Sequence, residues 1–165
     1  MIQTQKVIHH EHVSGRPYAE VLAAFESATG SVEEGFEKVA ANARTPQDFE
    51  RIFKAREGSS GFMRFLSINH GDWQGYFGTP RKALLSVIGN PLIATTMMRH
   101  ELAVGLNVPV RLFIYEADDG KTRVTYDLPS TLMSGLENPQ VHEAALKLDA
   151  KLVALAEHIA GAKAN

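Results

Sequence analysis

Residues 108–127 read VPVRLFIYEADDGKTRVTYD, and this stretch decides the fold that we expect for the chain. Two runs rich in β-branched and aromatic residues, Val108 to Ala117 and Lys121 to Asp127, flank the turn residues Asp118-Asp119-Gly120. Strand-like runs separated by a short turn that contains glycine are typical of a β-hairpin. The sequence therefore predicts two antiparallel strands here.

The length of the turn decides which side chains face each other. A two-residue loop would place Ile114 opposite Thr125. A three-residue loop, with Gly120 in the left-handed bulge position, places Ile114 opposite Val124 and keeps the apolar side chains on one face. We expect the three-residue loop for that reason.

The other face of this hairpin has an unusual composition for a solvent-exposed surface. It carries Arg111, Phe113, Tyr115, Arg123, Thr125 and Asp127. Aromatic rings beside arginines are enriched in interface cores, so we expect a partner subunit here in preference to a ligand. A small anionic ligand is the alternative, and it would use Arg111, Tyr115 and Arg123.

The remaining segments predict an α+β chain with one domain over residues 1–165. Strands are predicted at Lys6 to Ser14, Gly61 to Ile68 and Ala83 to Ile88. Helices are predicted after Pro17, after the start signals Ser31-x-x-Glu34 and Thr45-Pro46, from Pro91 to Gly105, and from Pro139 to Gly161. Asn69 to Gly78 is predicted to be a loop.

Composition limits the kind of protein that this can be. The chain has 165 residues, a formal net charge of -2 and no cysteine. A nucleic-acid partner is not expected without a basic patch, and thiolate chemistry is excluded. Met1 to Val13 lacks the apolar region of a signal peptide, and the apolar window Ala83 to Met98 is too short for a membrane helix. We expect a soluble cytoplasmic protein that does not associate with a membrane.

Three short motifs in order along the chain resemble the domain of unknown function 302 family. They are Gly89-Asn90-Pro91 between a strand and a helix, Val108-Pro109-Val110-Arg111 at the start of a strand, and Tyr126-Asp127-Leu128-Pro129 at the end of the next. The resemblance begins at Lys82, and the final helix extends it to about residue 160.

This resemblance implies a fold but no established activity. The implied fold is an antiparallel sheet with helices mainly on one face, similar to the TATA-box-binding protein and often paired as a homodimer. Asn90, Arg111 and Tyr126 fall on motif positions of the family, although a helix cap, an ion pair and core packing would explain them equally well. Residues 32–57 look like an extra helix pair inserted into the family's arrangement.

Histidines crowd the first predicted strand. The period of two places His10 and His12 on one face, where they could donate two metal ligands, and His9 with Glu11 on the other. A closed metal site needs a third or fourth ligand, for which His70, His100 or a carboxylate on a helix are candidates. The alternative is a solvated edge strand.

The segment from His70 to Gly78 combines titratable and aromatic side chains with glycines. In a functional interpretation His70 is an acid or base, Asp72 orients it, and Trp73 and Tyr76 stack on a flat ligand. In the structural interpretation the rings close the end of the sheet and the glycines permit the turn.

The sequence thus favours a non-catalytic homodimeric domain that binds a small anionic or aromatic molecule or acts as a scaffold, with no cofactor. The alternative is a metal-dependent or acid-base enzyme that uses His10, His12 and His70. A subunit whose only role is self-association is a third hypothesis.

Overall fold

A six-stranded sheet forms the centre of the protein. The structure is a computed structural model that describes residues 2–78 and 80–161, so Met1, Thr79 and residues 162–165 of the expected domain lie outside the described residues. The strands are β1 (His9–Ser14), β2 (Gly30–Ser31), β3 (Met63–Asn69), β4 (Ala83–Gly89), β5 (Val110–Glu116) and β6 (Thr122–Asp127). Their order is β1-β6-β5-β4-β3-β2, and every neighbouring pair is antiparallel except β2 and β3, which are parallel.

Seven α-helices accompany these strands in the described part of the chain. They are α1 (Tyr18–Ala28), α2 (Phe36–Ala40), α3 (Pro46–Lys54), α4 (His70–Gln74), α5 (Pro91–Met98), α6 (Pro129–Leu132) and α7 (Pro139–Ala160). The side chains of Thr45, Asn90 and Asn138 accept hydrogen bonds from first-turn amides of α3, α5 and α7, as their start signals predict. This combination of sheet and helices confirms the α+β class. None of the helices described is long and apolar enough to cross a membrane.

The central hairpin has the expected register. Ile114 pairs with Val124 and Tyr115 pairs with Arg123. Gly120 has a φ of 73°, in the left-handed region that its position in the turn requires. The three-residue loop is therefore confirmed.

Several predicted boundaries were wrong. The first strand begins at His9 rather than Lys6. Ser31 belongs to β2 and bonds Glu33, so it does not cap α2, which begins at Phe36. The helix of Pro91 ends at Met98 rather than Gly105, and a separate 3-10 helix, Leu102–Leu106, follows.

The segment predicted as a loop, Asn69 to Gly78, contains α4 and a 3-10 helix, Gly75–Phe77. The Asn69 side chain accepts a hydrogen bond from the amide of Gly71 at 3.0 Å and so starts α4. Glycine content alone therefore gave the wrong prediction for this segment.

The main hydrophobic core lies between one face of the sheet and α1, α5 and α7. Strand residues such as Leu112, Ile114 and Val124 are fully buried against helix residues such as Phe25 and Leu152. Burial of this apolar area provides the dominant favourable term in folding.

A second, smaller cluster attaches α2 and α3 to the edge of the sheet. Its buried members are Val32, Val39, Phe53 and Met63, with Phe36, Phe49 and Phe65 packed around them. The α2–α3 pair thus packs on the end of β3 and on α5.

The second face of the sheet, the open face, leaves apolar side chains exposed on β1 and β3. Alternation along the paired strands places Val13, Leu66 and Ile68 on this face, and these side chains are 50%, 51% and 39% exposed. In the described part of the chain α4 lies over one end of this face through His70, which contacts Phe113. The bare face expected from the sequence is present.

Candidate ligand-binding site

Arg123 on the open face is held by two carboxylates of its own chain. Its Nη2 lies 2.7 Å from Oδ2 of Asp119, and its Nε lies 3.3 Å from Oε1 of Glu11. The side chain is only 14% exposed. The Tyr115 hydroxyl donates to Oε2 of Glu11 at 3.1 Å, and burial together with this bond raises the pKa of Tyr115. The Arg123 guanidinium is therefore already neutralised.

Arg111 forms the ion pair across the strands that the register predicts. Its Nη2 lies 3.8 Å from Oδ2 of Asp127, and Nδ1 of His9 lies 2.9 Å from the other oxygen of that carboxylate. Arg111 stays largely exposed. Both arginines on the open face are thus paired with carboxylates of the same chain, which weakens the case for an anion at Arg111, Tyr115 and Arg123.

His70 packs against aromatic rings at one end of the open face. Its ring meets Phe113 and Trp73 edge to face, with centroids 6.1 and 5.7 Å apart. Its Nδ1 is buried without a hydrogen-bond partner in the described residues. Asp72 accepts from Nδ2 of Asn69 at 2.8 Å, so the structure does not support Asp72 as the group that orients His70.

The aromatic side chains that follow do not close the end of the sheet. Trp73 is 44% exposed, whereas Tyr76 and Phe77 are 86% and 81% exposed. Trp73 contacts Phe77 edge to face, and neither ring is buried. The stacking role proposed for Trp73 and Tyr76 stays a prediction.

His10 and His12 share a face, as predicted, and both bond one hydroxyl. The Tyr126 oxygen lies 3.2 Å from Nδ1 of His10 and 3.0 Å from Nε2 of His12. Burial, with the carboxylates of Glu157 and Asp149, raises the pKa of Tyr126 well above its usual range. Burial also lowers the pKa of His12, and the negative charge of Glu157 offsets part of this decrease.

The histidines do not form one metal centre. His10 and His12 lie on the face covered by α7, next to the buried Tyr126, whereas His70 contacts Phe113 on the open face. In the described ranges no group of three or more His, Cys, Asp or Glu side chains could hold a metal ion. A site built on His10, His12 and His70 together is therefore not supported.

Asn90 has a structural role that uses its whole amide. Its Oδ1 accepts from the amide of Leu92 at 2.9 Å, and its Nδ2 donates to Glu57 at 2.5 Å and to the carbonyl of Gly61 at 2.9 Å. The side chain thus caps α5 and ties it to the segment after α3.

The structure shows a cavity of about 500 Å³ that the sequence did not indicate. It lies where β4 ends and β5 begins, between α5 and the α2–α3 pair. Its largest apolar lining residues are Phe36, Phe49, Phe65, Ile88, Ile93, Met97, Met98 and Leu148. Ligand pockets are about 300–1,000 Å³ and mostly apolar, so this cavity has the size and chemistry of a small-molecule site.

Two family motif segments give this cavity its shape. Gly89 begins the step into α5, and a Cβ there would lie 3.0 Å from Cβ of Pro109 and 3.4 Å from the ring of Phe65. Glycine therefore permits the close approach of these two rings at the cavity wall. Met97 and Met98 also line the cavity.

The polar side chains of the cavity are few. The amide of Asn90 is fully used as described, and the Thr95 hydroxyl donates to the carbonyl of Pro91 at 2.8 Å. Glu37 is the one ionisable side chain among the described lining residues, and it is exposed. The cavity can therefore take an apolar group without leaving a buried polar group unpaired.

An open groove of about 800 Å³ adjoins the cavity. Phe49 and Thr95 line both spaces. The ionisable side chains in the groove are Arg44, Glu50, Lys54 and Arg99. Lys54 and Glu50 form a salt bridge at 2.5 Å, and neither arginine forms one in the described part of the chain.

Fold and site together define an α+β protein with a ligand-sized apolar cavity at the end of its sheet. The family model of Domain of unknown function DUF302 matches residues 37–159. The chain therefore belongs to this family, which confirms the resemblance found in its motifs. The match runs through most of the α2–α3 pair and omits β1 and α1.

A solved structure shares the fold. It is the crystal structure of an uncharacterized conserved protein DUF302 from Bacillus stearothermophilus, with a TM-score of 0.64 and 16% sequence identity, and the match covers 92% of this chain and 97% of that one. This likeness supports the α+β fold. The more specific likeness to the TATA-box-binding protein stays a prediction.

Curated relatives include proteins named as fluoride-specific ion channels. FluC 1 of Brucella suis and FluC 1 of Brucella abortus are each 25% identical to this chain over 143 residues, which is 86% of the chain. The matches cover 53% and 50% of those proteins. The chain thus spans about half the length of the curated relatives that it matches.

Proposed function

We propose that this chain is a non-catalytic domain that binds a small, largely apolar molecule in the cavity between α5 and the α2–α3 pair. The observation that supports this proposal is the combination of about 500 Å³ of space with aromatic and methionine side chains around it. Methionine side chains adapt to ligands of different shape, because they are unbranched and polarisable. The cavity replaces the open face as the place where we expect a ligand.

A neutral fluorescent probe, N-phenyl-1-naphthylamine, tests this proposal. We expect its emission to rise on binding and a saturating excess to stabilise the protein, by about 2.7 kcal/mol at a hundred times the Kd. Ala94 lines the cavity, and Ala94→Trp fills part of it. Ala150 is exposed on α7, so Ala150→Trp is the matched control. Equal probe affinity in both variants would refute the assignment.

We also propose that the open face of the sheet pairs two copies of the chain. Its exposed apolar side chains include Val13 on β1 and Leu66 and Ile68 on β3, and its arginines are paired with carboxylates, as in Arg111–Asp127 and Arg123–Glu11. Paired charges of both signs limit the repulsion between two copies, and apolar side chains together with polar ones are typical of a subunit interface. The pairing agrees with the homodimers that the family resemblance implies.

Light scattering coupled to size exclusion measures this association. Leu66 on the open face and Leu146 on α7 are 51% and 48% exposed, so they form a matched pair for substitution. We expect Leu66→Glu to convert a dimer into a monomer and Leu146→Glu to leave it a dimer. A monomeric protein without substitution, or a dimer that survives Leu66→Glu, would exclude this interface.

The metal-dependent or acid-base enzyme is the second candidate function, and it now depends on His10, His12 and Tyr126. The observation in its favour is that both imidazoles converge on one hydroxyl. Metal analysis of untagged protein tests it. Stoichiometric zinc, iron or copper that disappears in the His10→Ala, His12→Ala double variant would establish this site. Metal-free protein would remove the metal-dependent form of this function.

Fluoride conduction is not part of the proposed function. The channel name belongs to relatives that are 25% identical, and about half of each of those proteins has no counterpart in this chain. The channel name does not say what the matched half of those proteins does.

A further inference from the structure

The cavity and the basic groove are adjacent and share part of their walls, and this arrangement indicates the class of ligand. Phe49 and Thr95 contribute to both walls, so a molecule whose apolar body fills the cavity can extend past them into the groove. We infer that the ligand is an amphiphile with an apolar body and an anionic head of the carboxylate type. This inference rests on the proposed function, because it names the ligand of that same cavity.

The charges in the groove carry the inference. Lys54 and Glu50 neutralise each other, which leaves Arg44 and Arg99 as the two groups whose charge no carboxylate balances in the described residues. Arg99 donates through Nε to the carbonyl of Thr95, and this bond leaves both terminal nitrogens available. A guanidinium group binds a carboxylate through two parallel hydrogen bonds, and both partners are charged.

The adjacent acidic groups do not reverse this balance. Glu143 on α7 lines a shallow depression that includes Arg99, but its carboxylate binds Lys147 at 2.8 Å. Glu37 lines the cavity itself and is solvent-exposed, where water and salt screen its charge. A cationic head group would instead bind near Glu37. The charge of the head group that the protein prefers therefore tests whether the ligand reaches Glu37 or the two arginines of the groove.

The position of these arginines also separates this site from the open face. Arg123 is occupied by two carboxylates and Arg111 by one. An anionic ligand at that face would have to displace existing ion pairs. An anion in the groove meets Arg44 and Arg99 without that cost, next to a cavity that accepts its apolar part.

Displacement of N-phenyl-1-naphthylamine by three ten-carbon compounds tests the inference. Decanoate, 1-decanol and decylamine share one apolar body and differ in the charge of the head. We expect decanoate to displace the probe at a concentration about tenfold lower than decylamine does, with decanol between them. Added salt should reduce the advantage of decanoate, because its head is exposed in the groove.

Substitutions in the groove identify the groups responsible. We expect Arg44→Gln and Arg99→Gln each to weaken decanoate binding about fivefold, the upper range for an exposed ion pair, and to leave the probe and decanol unchanged. Arg51→Gln is the matched control. Arg51 lies on α3, pairs with Asp48 and is not among the residues that line the groove.

Each outcome is decisive. If the probe binds in the cavity but decanoate shows no advantage, or if the arginine variants leave it unchanged, the inference is overturned and the apolar site stands. The inference would also be overturned if the protein preferred decylamine and the Glu37→Gln variant lost this preference. That result would place the head group beside Glu37 in the cavity. If the probe does not bind, the proposed function fails together with the inference.

Discussion

Replacement of Asn90 by alanine should destabilise the protein far more than the loss of an ordinary helix cap. The amide caps α5 through Leu92 and also donates to Glu57 and to the carbonyl of Gly61, and the residue is only 6% exposed. An N-cap contributes about 1 kcal/mol. The hydrogen bond to the Glu57 carboxylate contributes about 1.5–3 kcal/mol, and the bond to the Gly61 carbonyl contributes about 1 kcal/mol. Relaxation of the structure around the substituted residue recovers part of this sum. We therefore expect Asn90→Ala to cost about 3 kcal/mol in the free energy of unfolding.

Urea denaturation at pH 7 measures this loss, and Thr45 provides the comparison. The Thr45 hydroxyl caps α3 at an exposed position through a single bond of 3.1 Å from the amide of Asp48. Thr45→Ala should therefore cost about 1 kcal/mol. Asn90→Asp keeps the capping oxygen but places a second carboxylate beside Glu57, so it should be at least as damaging as Asn90→Ala at pH 7. If Asn90→Ala cost no more than Thr45→Ala, the three-way role of the amide would be wrong.

Three further substitutions test other contacts. Gly30→Ala should prevent folding, because a Cβ there overlaps the carbonyl oxygen of Arg56, and soluble expression with a native circular dichroism spectrum would contradict this. Tyr126→Phe should lower the free energy of unfolding by about 1–2 kcal/mol, because it removes the hydroxyl that His10 and His12 share. An unchanged midpoint in urea denaturation would show that the hydroxyl contributes nothing. Burial holds the pKa of His12 below its unfolded value, so stability should be complete above about pH 6.5 and decrease as the pH falls toward the folded pKa. His12→Gln should flatten this pH dependence of the urea midpoint, and an equal slope in both proteins would refute the assignment.

The hairpin was predictable because two local rules constrain it together. Alternation fixes which face each side chain takes, and Gly120 fixes the length of the turn, so only one register satisfies both. The same reasoning placed Arg111 opposite Asp127 and Tyr115 opposite Arg123. It did not reveal the carboxylates that neutralise Arg123, since Glu11 comes from a strand more than a hundred residues away in the sequence.

The cavity was not predictable, because its walls come from segments whose distances depend on tertiary packing. Phe36, Phe49 and Phe65 belong to α2, α3 and β3 and pack around the smaller cluster. A hydrophobic pattern indicates that a side chain is buried, but it does not indicate whether the neighbouring elements meet without a gap. The concentration of phenylalanines between residues 36 and 65 is the one sequence signal that pointed toward this region.

The α2–α3 pair is the element on which both the cavity and the groove depend. It is attached through the small cluster of Val32, Val39, Phe53 and Met63, whereas α5 and the sheet on the other side belong to the main core. Elements held by few buried apolar contacts open at lower free energy than the core does. The cavity therefore lies between one wall that belongs to the main core and one wall that is held by the smaller cluster. On the proposed function, a ligand that contacts Phe49 from one side and α5 from the other would stabilise the position of the α2–α3 pair, because it would add apolar contact where the protein alone has least.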